Sequence, residues 1–305
     1  MTILITGVDG FIGGHVAEHF AESGHRVIGV GRKGRSALSL KNSRMQYLQH
    51  DLTTTLPPLP IPTTIIHAAG SLPKPGTTAQ TLFENNVLAT LQLLKFATEA
   101  KVSRFIYLST VSIHGDVHQP VLSADTPIVN PAAYGLTKRL CELALIEAAA
   151  IPTRLSLRLP AVLGRGATMH WPWSIVDRAI RGQTISIYNP NAPFNNAAHI
   201  ADLKAFLSHL LNSSWSGYEA LPLGSSEPMP VLQLVERVRT RVQSNSQIDV
   251  LPGERPTFFI DSSRAKAMFD YRPMNIGAAM DLFIDETMIN SERPPIAASL
   301  AKKTE

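Results

Sequence analysis

The sequence contains only one cysteine, Cys141, among its 305 residues. A single cysteine excludes an intrachain disulfide, which is consistent with a reducing compartment. No apolar run reaches the roughly 18 residues that a membrane-spanning helix needs. The first residues show no basic region followed by a cleavable apolar stretch, so we expect no signal peptide. These absences predict a cytoplasmic protein that has no membrane partner.

The sequence also has little excess charge of either sign. Its 28 Lys and Arg residues and 24 Asp and Glu residues give a formal net charge of +4. With 44% hydrophobic and 17% charged residues, the composition is typical of a globular protein and excludes the class of disordered acidic or basic tail proteins. No long basic run with interleaved aromatic residues is present, so we expect no nucleic-acid partner.

The N-terminal half alternates short apolar runs with helical patterns. The apolar runs predict strands at 2–6, 26–30, 45–48, 64–68, 105–109 and 153–159, and the spacing of apolar residues predicts helices at 11–21, 131–150 and 200–211. Four prolines between positions 57 and 62 exclude a helix in that crossover. Strands that are apolar on both faces and separated by helices predict an α/β fold with a Rossmann-type, doubly wound parallel sheet.

The regular alternation stops after Pro160. We therefore predict a Rossmann domain over 1–160, completed by about 197–212, and a smaller, discontinuous C-terminal cap for the substrate within 161–290. Residues 291–305 are predicted to form a flexible tail. Asn130 is expected to cap the helix that Pro131 begins.

A glycine-rich segment follows the first predicted strand and opens the first predicted helix. It places Gly7, Gly10 and Gly13 at three-residue intervals. The free N–H groups of a helix N-terminus favour a pyrophosphate at this point. Gly7 permits the tight turn, Gly10 lets the backbone approach the phosphates, and Gly13 allows close packing of helix on strand. Glycines that serve only a turn are the alternative, which the strand–turn–helix context disfavours.

The end of the second predicted strand lacks the carboxylate that binds the ribose hydroxyls of NAD. Gly31 and Arg32 stand there instead, and no acidic residue occurs between Glu22 and Asp51. That interval holds six basic residues, which are Arg26, Arg32, Lys33, Arg35, Lys41 and Arg44. Because a guanidinium suits a 2′-phosphate, this pattern predicts a preference for NADP over NAD. A solvated basic loop is the alternative interpretation.

Tyr134 and Lys138 form a Tyr-x-x-x-Lys pair in a predicted helix. Residues at this spacing share a helix face, with Cβ atoms about 5–6 Å apart. An ammonium about 5 Å from a phenol would lower the phenol pKa by roughly two units at an effective dielectric constant of ~20. The pair therefore predicts a tyrosine that exchanges protons near neutral pH, although a surface pair is the default for this spacing alone. A strand upstream runs into a turn with several hydroxyl groups, Ser109, Thr110 and Ser112, which could orient a substrate oxygen or bond only to the backbone.

Together with blocks at 50–52, 67–70, 86–90, 157–160 and 199–202, these motifs make the chain resemble the extended short-chain dehydrogenase/reductase family, in its NAD(P)-dependent epimerase/dehydratase branch. The resemblance runs from residue 1 to about 270. It implies hydride transfer between a nicotinamide and a carbinol or ketone carbon. The catalytic residues that it implies are Thr110, Tyr134 and Lys138. The coenzyme-binding residues that it implies are Gly7, Gly10, Phe11, Ile12, Gly13, Arg32, Asp51, Leu52, Ala68, Ala69, Gly70, Asn86, Tyr134, Lys138 and Pro160.

The resemblance also implies individual roles. Tyr134 would handle the proton of the substrate oxygen, and Lys138 would hold the nicotinamide ribose. Asn86 would support the nicotinamide end, and Pro160 would lie near the carboxamide. By analogy with the family, a homodimer would form through the helices that follow the fourth and fifth strands.

Two positions depart from family members that act on nucleotide-diphospho-sugars. Asn195 stands where such enzymes often have an arginine, and Leu251 stands where they have a second, although Arg255 is close in sequence. Because guanidinium groups bind diphosphates, the absence of both arginines disfavours a nucleotide-diphospho-sugar substrate. We therefore predict an NADP-preferring oxidoreductase for a ketone or secondary alcohol of a small or sugar-like substrate. A nucleotide-sugar epimerase with tightly bound NAD is the alternative, and a non-catalytic dinucleotide sensor is a third possibility.

Other reactive residue types are interpreted as structural. His15 and His19 are spaced like two zinc ligands on a helix, but no acidic base lies suitably between them, so no metal is expected. Glu142 is expected to be a solvated helix charge. The segment around Trp171 is either part of the substrate wall or ordinary cap packing. His114 occupies a position where the family usually has tyrosine.

Overall fold

The computed structural model describes residues 1–33, 43–253 and 255–291. Arg35 and Lys41 of the basic interval, and nearly all of the predicted tail, lie outside these described residues. The strands, in chain order, are β1 (Thr2–Thr6), β2 (Arg26–Gly31), β3 (Met45–Gln49), β4 (Thr64–His67), β5 (Arg104–Thr110), β6 (Val121–Leu122), β7 (Thr153–Leu159), β8 (Ala161–Leu163), β9 (Ile185–Ile187), β10 (Pro193–Phe194), β11 (Ala197–His199), β12 (Gly217–Pro222), β13 (Met229–Pro230), β14 (Ile248–Val250) and β15 (Phe259–Ile260).

Helices cover the sheet and build the cap. In chain order they are α1 (Phe11–Glu22), α2 (Ala79–Leu82), α3 (Ala89–Glu99), α4 (Ala133–Glu147), α5 (Trp171–Ile180), α6 (Ile200–Asn212), α7 (Val231–Arg241), α8 (Ser263–Phe269) and α9 (Ile276–Ser291). A π-helical turn (Phe83–Leu88) joins α2 to α3, and a 3-10 turn (Val111–His114) follows β5. None of the helices in the described part of the chain combines the length and the apolar character needed to cross a bilayer.

The central sheet has seven strands in the order β12-β7-β5-β4-β1-β2-β3. Every pairing within it is parallel. The chain builds outward from β1 in one direction through β2 and β3, and then returns to add β4 on the other side. This reversal leaves a crevice at the carboxyl ends of β1 and β4, where ligands of doubly wound sheets bind. The predicted α/β class and doubly wound parallel sheet are confirmed.

Both faces of the sheet are buried under helices. On one face α1 and α6 pack against the strands around a core that includes Phe20, Leu207 and Leu157. On the other face α3 and α4 enclose a core that includes Leu93 and Phe105. Because strands of such a sheet have no solvent face, β7 is buried at all its positions and β4 likewise.

Strand β12 was not predicted from the sequence, which placed this segment in the cap. It pairs in parallel with β7 at the edge of the sheet. Four of its six residues are only partly buried, since an edge strand has a half-exposed surface. Its apolar pattern is therefore interrupted, for example by Glu219, and resembles that of a loop.

The start of α4 also differs from its prediction. The helix begins at Ala133, and its N-cap Ala132 makes no side-chain cap hydrogen bond. Asn130 instead adopts a positive φ of 46° in the preceding turn. Asparagine tolerates this left-handed conformation better than most residues, so Asn130 shapes the turn rather than capping the helix.

The cap has its own apolar core, formed by α5, α7 and α9. Ile175, Leu234, Val238 and Phe283 are buried within it. Helix α8 packs on the core of the sheet instead, through Phe269. The chain therefore passes between sheet and cap more than once, and the exact boundary of the two regions remains a prediction.

Candidate active site

A cavity of about 460 Å³ opens at the carboxyl edge of the sheet, beside the switch between β1 and β4. Predicted coenzyme residues form much of its wall: Gly7, Gly10, Phe11, Arg32, Asp51, Leu52, Ala68, Ala69 and Gly70. Other predicted residues, Ile12, Gly13, Asn86, Tyr134, Lys138 and Pro160, are not part of this wall. The cavity therefore corresponds to the phosphate and adenosine parts of the predicted site.

The glycine-rich loop is packed so tightly that side chains would not fit. Gly7 has a φ of 72°, which favours glycine, and a Cβ there would lie 2.7 Å from the backbone nitrogen of Ala69. A Cβ on Gly13 would overlap the Gly7 carbonyl. The start of α1 thus lies on the cavity wall, and the free N–H groups of a helix N-terminus fit a pyrophosphate.

His67 fastens the strands that form the crevice. Its ring, 1% exposed, bonds to Thr6 Oγ1 at 2.7 Å and to Thr90 Oγ1 at 3.0 Å. Burial lowers the pKa of His67 to about 3, so the ring is neutral. Thr6 Oγ1 also accepts a hydrogen bond from the Ala69 amide. The histidine of the 67–70 block is therefore a structural link between β1, β4 and α3.

The structure adds a residue that sequence reasoning missed, Asp9 in the glycine-rich loop. Its carboxylate lies against Gly31 at the end of β2, so closely that a Cβ on Gly31 would overlap it. Asp9 Oδ2 accepts a hydrogen bond from the Lys33 amide at 2.9 Å. The premise that no carboxylate lies at the end of β2 is therefore wrong. An acid next to the second glycine of the loop, combined with glycine at the end of β2, is the signal that could have revealed it.

Arg32, which we predicted to bind a 2′-phosphate, makes a different contact. Its Nη1 donates to Asn85 Oδ1 at 2.9 Å. Asp51 forms the opposite part of the wall, and the Thr53 amide donates to its Oδ1 at 3.0 Å. That backbone hydrogen bond is the main cause that lowers the pKa of Asp51 below its ordinary value, so the carboxylate is ionised.

Tyr134 and Thr110 come together at the ends of β5 and α4. Gly135 makes this possible, because a Cβ at that position would overlap the Ser112 carbonyl of the 3-10 turn. Burial raises the pKa of Tyr134 to about 12, while a hydrogen bond with the Thr110 side chain lowers it slightly. The expectation of a phenol tuned toward neutrality is wrong for the protein alone, since desolvation outweighs every nearby favourable interaction.

Lys138 lies on the same helix, but its ammonium is engaged away from solvent. Nζ donates to the Leu108 carbonyl at 2.8 Å and lies 4.4 Å from the ring centroid of Tyr107. Burial lowers the pKa of Lys138 to about 8. A Cβ on Gly70 would lie 3.7 Å from this Nζ, so Lys138 is directly behind the cavity wall formed by 68–70.

Asn86 positions the same wall from the π-helical turn. Its Oδ1 accepts from the Ser71 amide at 2.7 Å, and its Nδ2 donates to Thr137 Oγ1 at 3.1 Å. π-Helical turns occur frequently at functional sites. Pro160 follows Leu159, which pairs with Thr110 in the sheet, so it lies at the same edge. The structure thus brings Thr110, Tyr134, Lys138, Asn86 and Pro160 to the edge where the cavity opens.

Glu142, expected to be a solvated charge, is instead fully buried. Its carboxylate accepts from Ser109 Oγ at 2.7 Å, from Arg158 Nη2 at 3.0 Å and from Arg139 Nη1 at 3.1 Å. His114 is 0% exposed and its Nε2 lies 3.4 Å from Arg158 Nη1. Sequence periodicity did not reveal this network because its members lie on four separate elements, which are α4, β5, β7 and the 3-10 turn.

In the cap, Asn195 has a structural role. Its Nδ2 donates to the carbonyls of Ser225 and Ile260, each at 2.9 Å, and its Oδ1 accepts from the Ile260 amide at 2.7 Å. The Arg255 guanidinium lies 3.9 Å from the ring centroid of Tyr188. The position that an arginine occupies in many nucleotide-sugar enzymes therefore holds no cation here. Arg255 lies elsewhere in the cap, where its guanidinium contacts the Tyr188 ring.

The segment around Trp171 and the two histidines of α1 make packing contacts and hydrogen bonds within the protein. The ring centroids of Trp171 and Phe194 are 4.9 Å apart. His170 Nδ1 caps α5 by accepting a hydrogen bond from the Trp173 amide. His15 and His19 bond to different groups, the Arg165 carbonyl and Ser208 Oγ. No group of three or more potential metal ligands occurs within residues 1–33, 43–253 and 255–291.

Comparisons with known proteins agree with this geometry. The model of the NAD dependent epimerase/dehydratase family matches residues 3–217. The chain belongs to this family. It is therefore an enzyme of the short-chain dehydrogenase/reductase superfamily.

Two curated relatives match along most of their length. Protein CapI of Staphylococcus aureus is 23% identical, with 93% of this chain and 98% of that protein covered. The uncharacterized UDP-glucose epimerase YtcB of Bacillus subtilis is 25% identical, with 90% and 93% covered.

Two solved structures have the same fold. The enzyme WbmG of Bordetella bronchiseptica in complex with NAD superposes with a TM-score of 0.80 at 19% identity, covering 95% of this chain and 94% of that one. UDP-glucuronic acid 4-epimerase from Bacillus cereus in complex with NAD gives a TM-score of 0.79 at 22% identity, covering 95% and 99%.

Proposed function

We propose that this protein is an NAD-dependent epimerase of a nucleotide-linked sugar. It takes a hydride from a secondary alcohol carbon and the proton from the hydroxyl oxygen, and then returns the hydride to the opposite face of that carbon and the proton to the oxygen. The observation that carries this proposal is the pairing of Tyr134 with Thr110 beside the cavity wall that Lys138 and Asn86 support. The names of the relatives support the substrate class, since they include a UDP-glucose epimerase and a UDP-glucuronic acid 4-epimerase.

The chain's own residues supply the proton chemistry. NAD, when bound, accepts and returns a hydride at the nicotinamide ring. Tyr134 takes the proton of the substrate hydroxyl as the hydride leaves, and gives it back when the hydride returns. Thr110 hydrogen-bonds both the phenol and the substrate oxygen, and thereby aligns them. Because no hydride or proton is consumed overall, turnover requires no exchange of the coenzyme.

The Tyr134 phenol must lose its proton before it can act as a base. With a pKa near 12, the phenol is protonated in the protein alone and can act only as an acid. To act as a base it needs further positive charge nearby, which the oxidised nicotinamide would supply when bound. Lys138, with a pKa of about 8, is still mostly protonated at neutral pH, but it does not offset the desolvation of the phenol in the protein alone. We infer that coenzyme binding supplies the lowering of the Tyr134 pKa that the protein alone lacks.

A second function is favoured by one specific observation in the cap. Asn195 is buried and fully engaged with the backbone, so a diphosphate loses one of its usual cations there. This supports the alternative that the enzyme reduces a ketone of a small substrate with net consumption of reduced coenzyme. The NADP preference predicted from Arg32 belongs to this alternative.

A pair of measurements distinguishes the two functions. Dinucleotide released from the purified protein by denaturation is identified by mass, and UDP-glucose and UDP-glucuronic acid are incubated with the enzyme and followed by proton NMR. We expect bound NAD and formation of a 4-epimer without change in NADH absorbance. Stoichiometric NADPH oxidation on a small ketone, with no epimer formed, would replace the epimerase by the reductase.

We further propose that the enzyme is a homodimer. The outer faces of the π-helical turn, α3 and α4 expose several large apolar side chains, which are Phe83, Leu88, Leu91, Leu136, Leu143 and Ile146. These helices follow β4 and β5, as the family analogy requires. Exposed apolar side chains on neighbouring helices are typical of protein–protein interfaces.

A further inference from the structure

The end of β2 receives its acid from a different element of the chain. In dinucleotide-binding folds an Asp or Glu about 20 residues after the glycine-rich loop binds the adenosine ribose. Here that position is Gly31, and the Asp9 carboxylate from the loop itself occupies the adjoining space. Asp9, Gly31, Arg32 and Asp51 all line the same cavity. The acid is therefore on the cavity wall although the second strand carries none.

Asp9 is held in a fixed orientation with acceptor capacity to spare. The Lys33 amide donates to Oδ2 at 2.9 Å, and the Tyr47 hydroxyl lies 3.1 Å from Oδ1 and 3.2 Å from Oδ2. A carboxylate offers about four lone-pair sites, and these two donors fill about half of them. Two remaining sites on one rigid carboxylate suit the two hydroxyl donors of a ribose diol.

The same carboxylate opposes a phosphate on that ribose. A 2′-phosphate carries up to about two negative charges near neutral pH, and like charges at close range repel. The guanidinium that could offset this repulsion, Arg32, donates to Asn85. The Asp9 carboxylate therefore places a fixed anion beside the end of β2, the point at which the acid of NAD-binding folds contacts the ribose.

We propose that Asp9 accepts hydrogen bonds from the 2′- and 3′-hydroxyls of the adenosine ribose and is the residue that selects NAD against NADP. The proposal rests on the proposed function only for the class of coenzyme. It depends on neither the substrate nor the direction of hydride transfer. It assigns the specificity to the loop before α1 rather than to the end of β2.

Calorimetric titration of the full chain, freed of co-purified dinucleotide, tests the proposal. We expect the wild-type protein to bind NAD at least about tenfold more tightly than NADP. Asp9→Asn should weaken NAD binding about tenfold and leave NADP binding equal or tighter, so that the ratio of the two affinities falls at least tenfold. Glu18→Gln, which removes the same charge from α1 outside the cavity wall, should leave the ratio within twofold of wild type.

A ligand variant gives a second test, and its first measurement needs only the wild-type protein. NAD whose adenosine ribose lacks the 2′-hydroxyl should bind wild type about tenfold more weakly than NAD. For the Asp9→Asn variant, the affinity for this analogue should be no lower than the affinity for NAD. Tyr47→Phe, which removes one donor to Asp9 but keeps the carboxylate, should retain the preference for NAD.

The outcomes separate this inference from the proposed function. A wild-type preference for NADP that Arg32→Gln abolishes, or an Asp9→Asn ratio within twofold of wild type, would overturn the role of Asp9 while leaving the epimerase proposal standing. A shifted ratio without epimer formation would uphold Asp9 and remove the epimerase. Failure to bind either dinucleotide would overturn both.

Discussion

Tyr134 shows how burial and charge compete at a single residue. The Tyr-x-x-x-Lys spacing correctly indicates that both side chains lie on one helix face, yet burial raises the pKa of Tyr134 to about 12. The nearest polar partners of Lys138 are the Leu108 carbonyl and the Tyr107 ring. The phenol is therefore protonated at neutral pH in the protein alone.

Replacement of the phenol hydroxyl tests its chemical role. We expect Tyr134→Phe to reduce turnover by about 10²- to 10⁴-fold, the usual contribution of a positioned acid or base, and to change the NAD dissociation constant by less than about threefold. Turnover is followed by NMR and binding by calorimetry. Tyr218→Phe is the matched control, because it also removes a part-buried phenol hydroxyl, which donates to Ser156 Oγ at 3.0 Å. This variant should have the turnover of the wild-type enzyme. Equal turnover in both variants would exclude the proton-transfer role.

Lys138 predicts a pH dependence of stability. Its pKa falls from 10.5 to about 8 on burial, so between pH 8 and 10 the unfolded chain binds more protons than the native protein. The free energy of unfolding should therefore rise with pH in this window, by about 2 kcal/mol more in wild type than in Lys138→Met. Urea unfolding at several pH values measures the difference. Lys95→Met, at an exposed position, should follow wild type, and a wild-type curve parallel to that of Lys138→Met would contradict the prediction.

Among the elements, β5, β7 and α4 are joined by one buried carboxylate. Glu142 of α4 accepts hydrogen bonds from Ser109 of β5 and Arg158 of β7. Ser109 immediately precedes Thr110, and Glu142 lies one helical turn beyond Lys138. The network therefore fixes the relative placement of the strand that carries Thr110 and the helix that carries Tyr134.

Loss of the Glu142 charge should lower the free energy of unfolding. We expect Glu142→Gln to destabilise the protein by about 3 kcal/mol or more, because it leaves the buried Arg158 guanidinium without its counter-charge. Glu147→Gln on the same helix, at an exposed position, should change stability by less than about 0.5 kcal/mol. Urea unfolding midpoints compare the two. Indistinguishable midpoints would show that Glu142 contributes no net stability.

At the scale of the whole molecule, the proposed dimer depends on the exposed apolar face of α3 and α4. Leu143 is 39% exposed and Leu136 is 49% exposed on that face. We expect Leu143→Glu to convert a dimer into a folded monomer, because association would bury an unpaired carboxylate. Ile61→Glu, at a 67% exposed position in the crossover before β4, is the control and should remain dimeric. Sedimentation velocity measures both, and a wild-type protein that sediments as a monomer would refute the proposal.

Much of the fold could be predicted because its signals are local. Strands β1 and β7 were predicted at their observed bounds, since apolar residues recur within a few positions along each of them. The edge strand β12 and the start of α4 were not, because half-exposed strands and turn geometry depend on neighbours distant in sequence. The glycine-rich loop and the Tyr134–Lys138 pair are likewise local patterns with fixed spacing.

The sequence by itself determined six of the seven strands of the sheet and the loop that opens α1, because hydrophobic periodicity and glycine spacing act over a few residues. Only the tertiary structure decided which charges face one another. It placed Asp9 against Gly31, Glu142 against Arg158, and the Tyr134 phenol in a desolvated site. Electrostatic interactions depend on distance in space and on exclusion of water, and neither is encoded by neighbours along the chain.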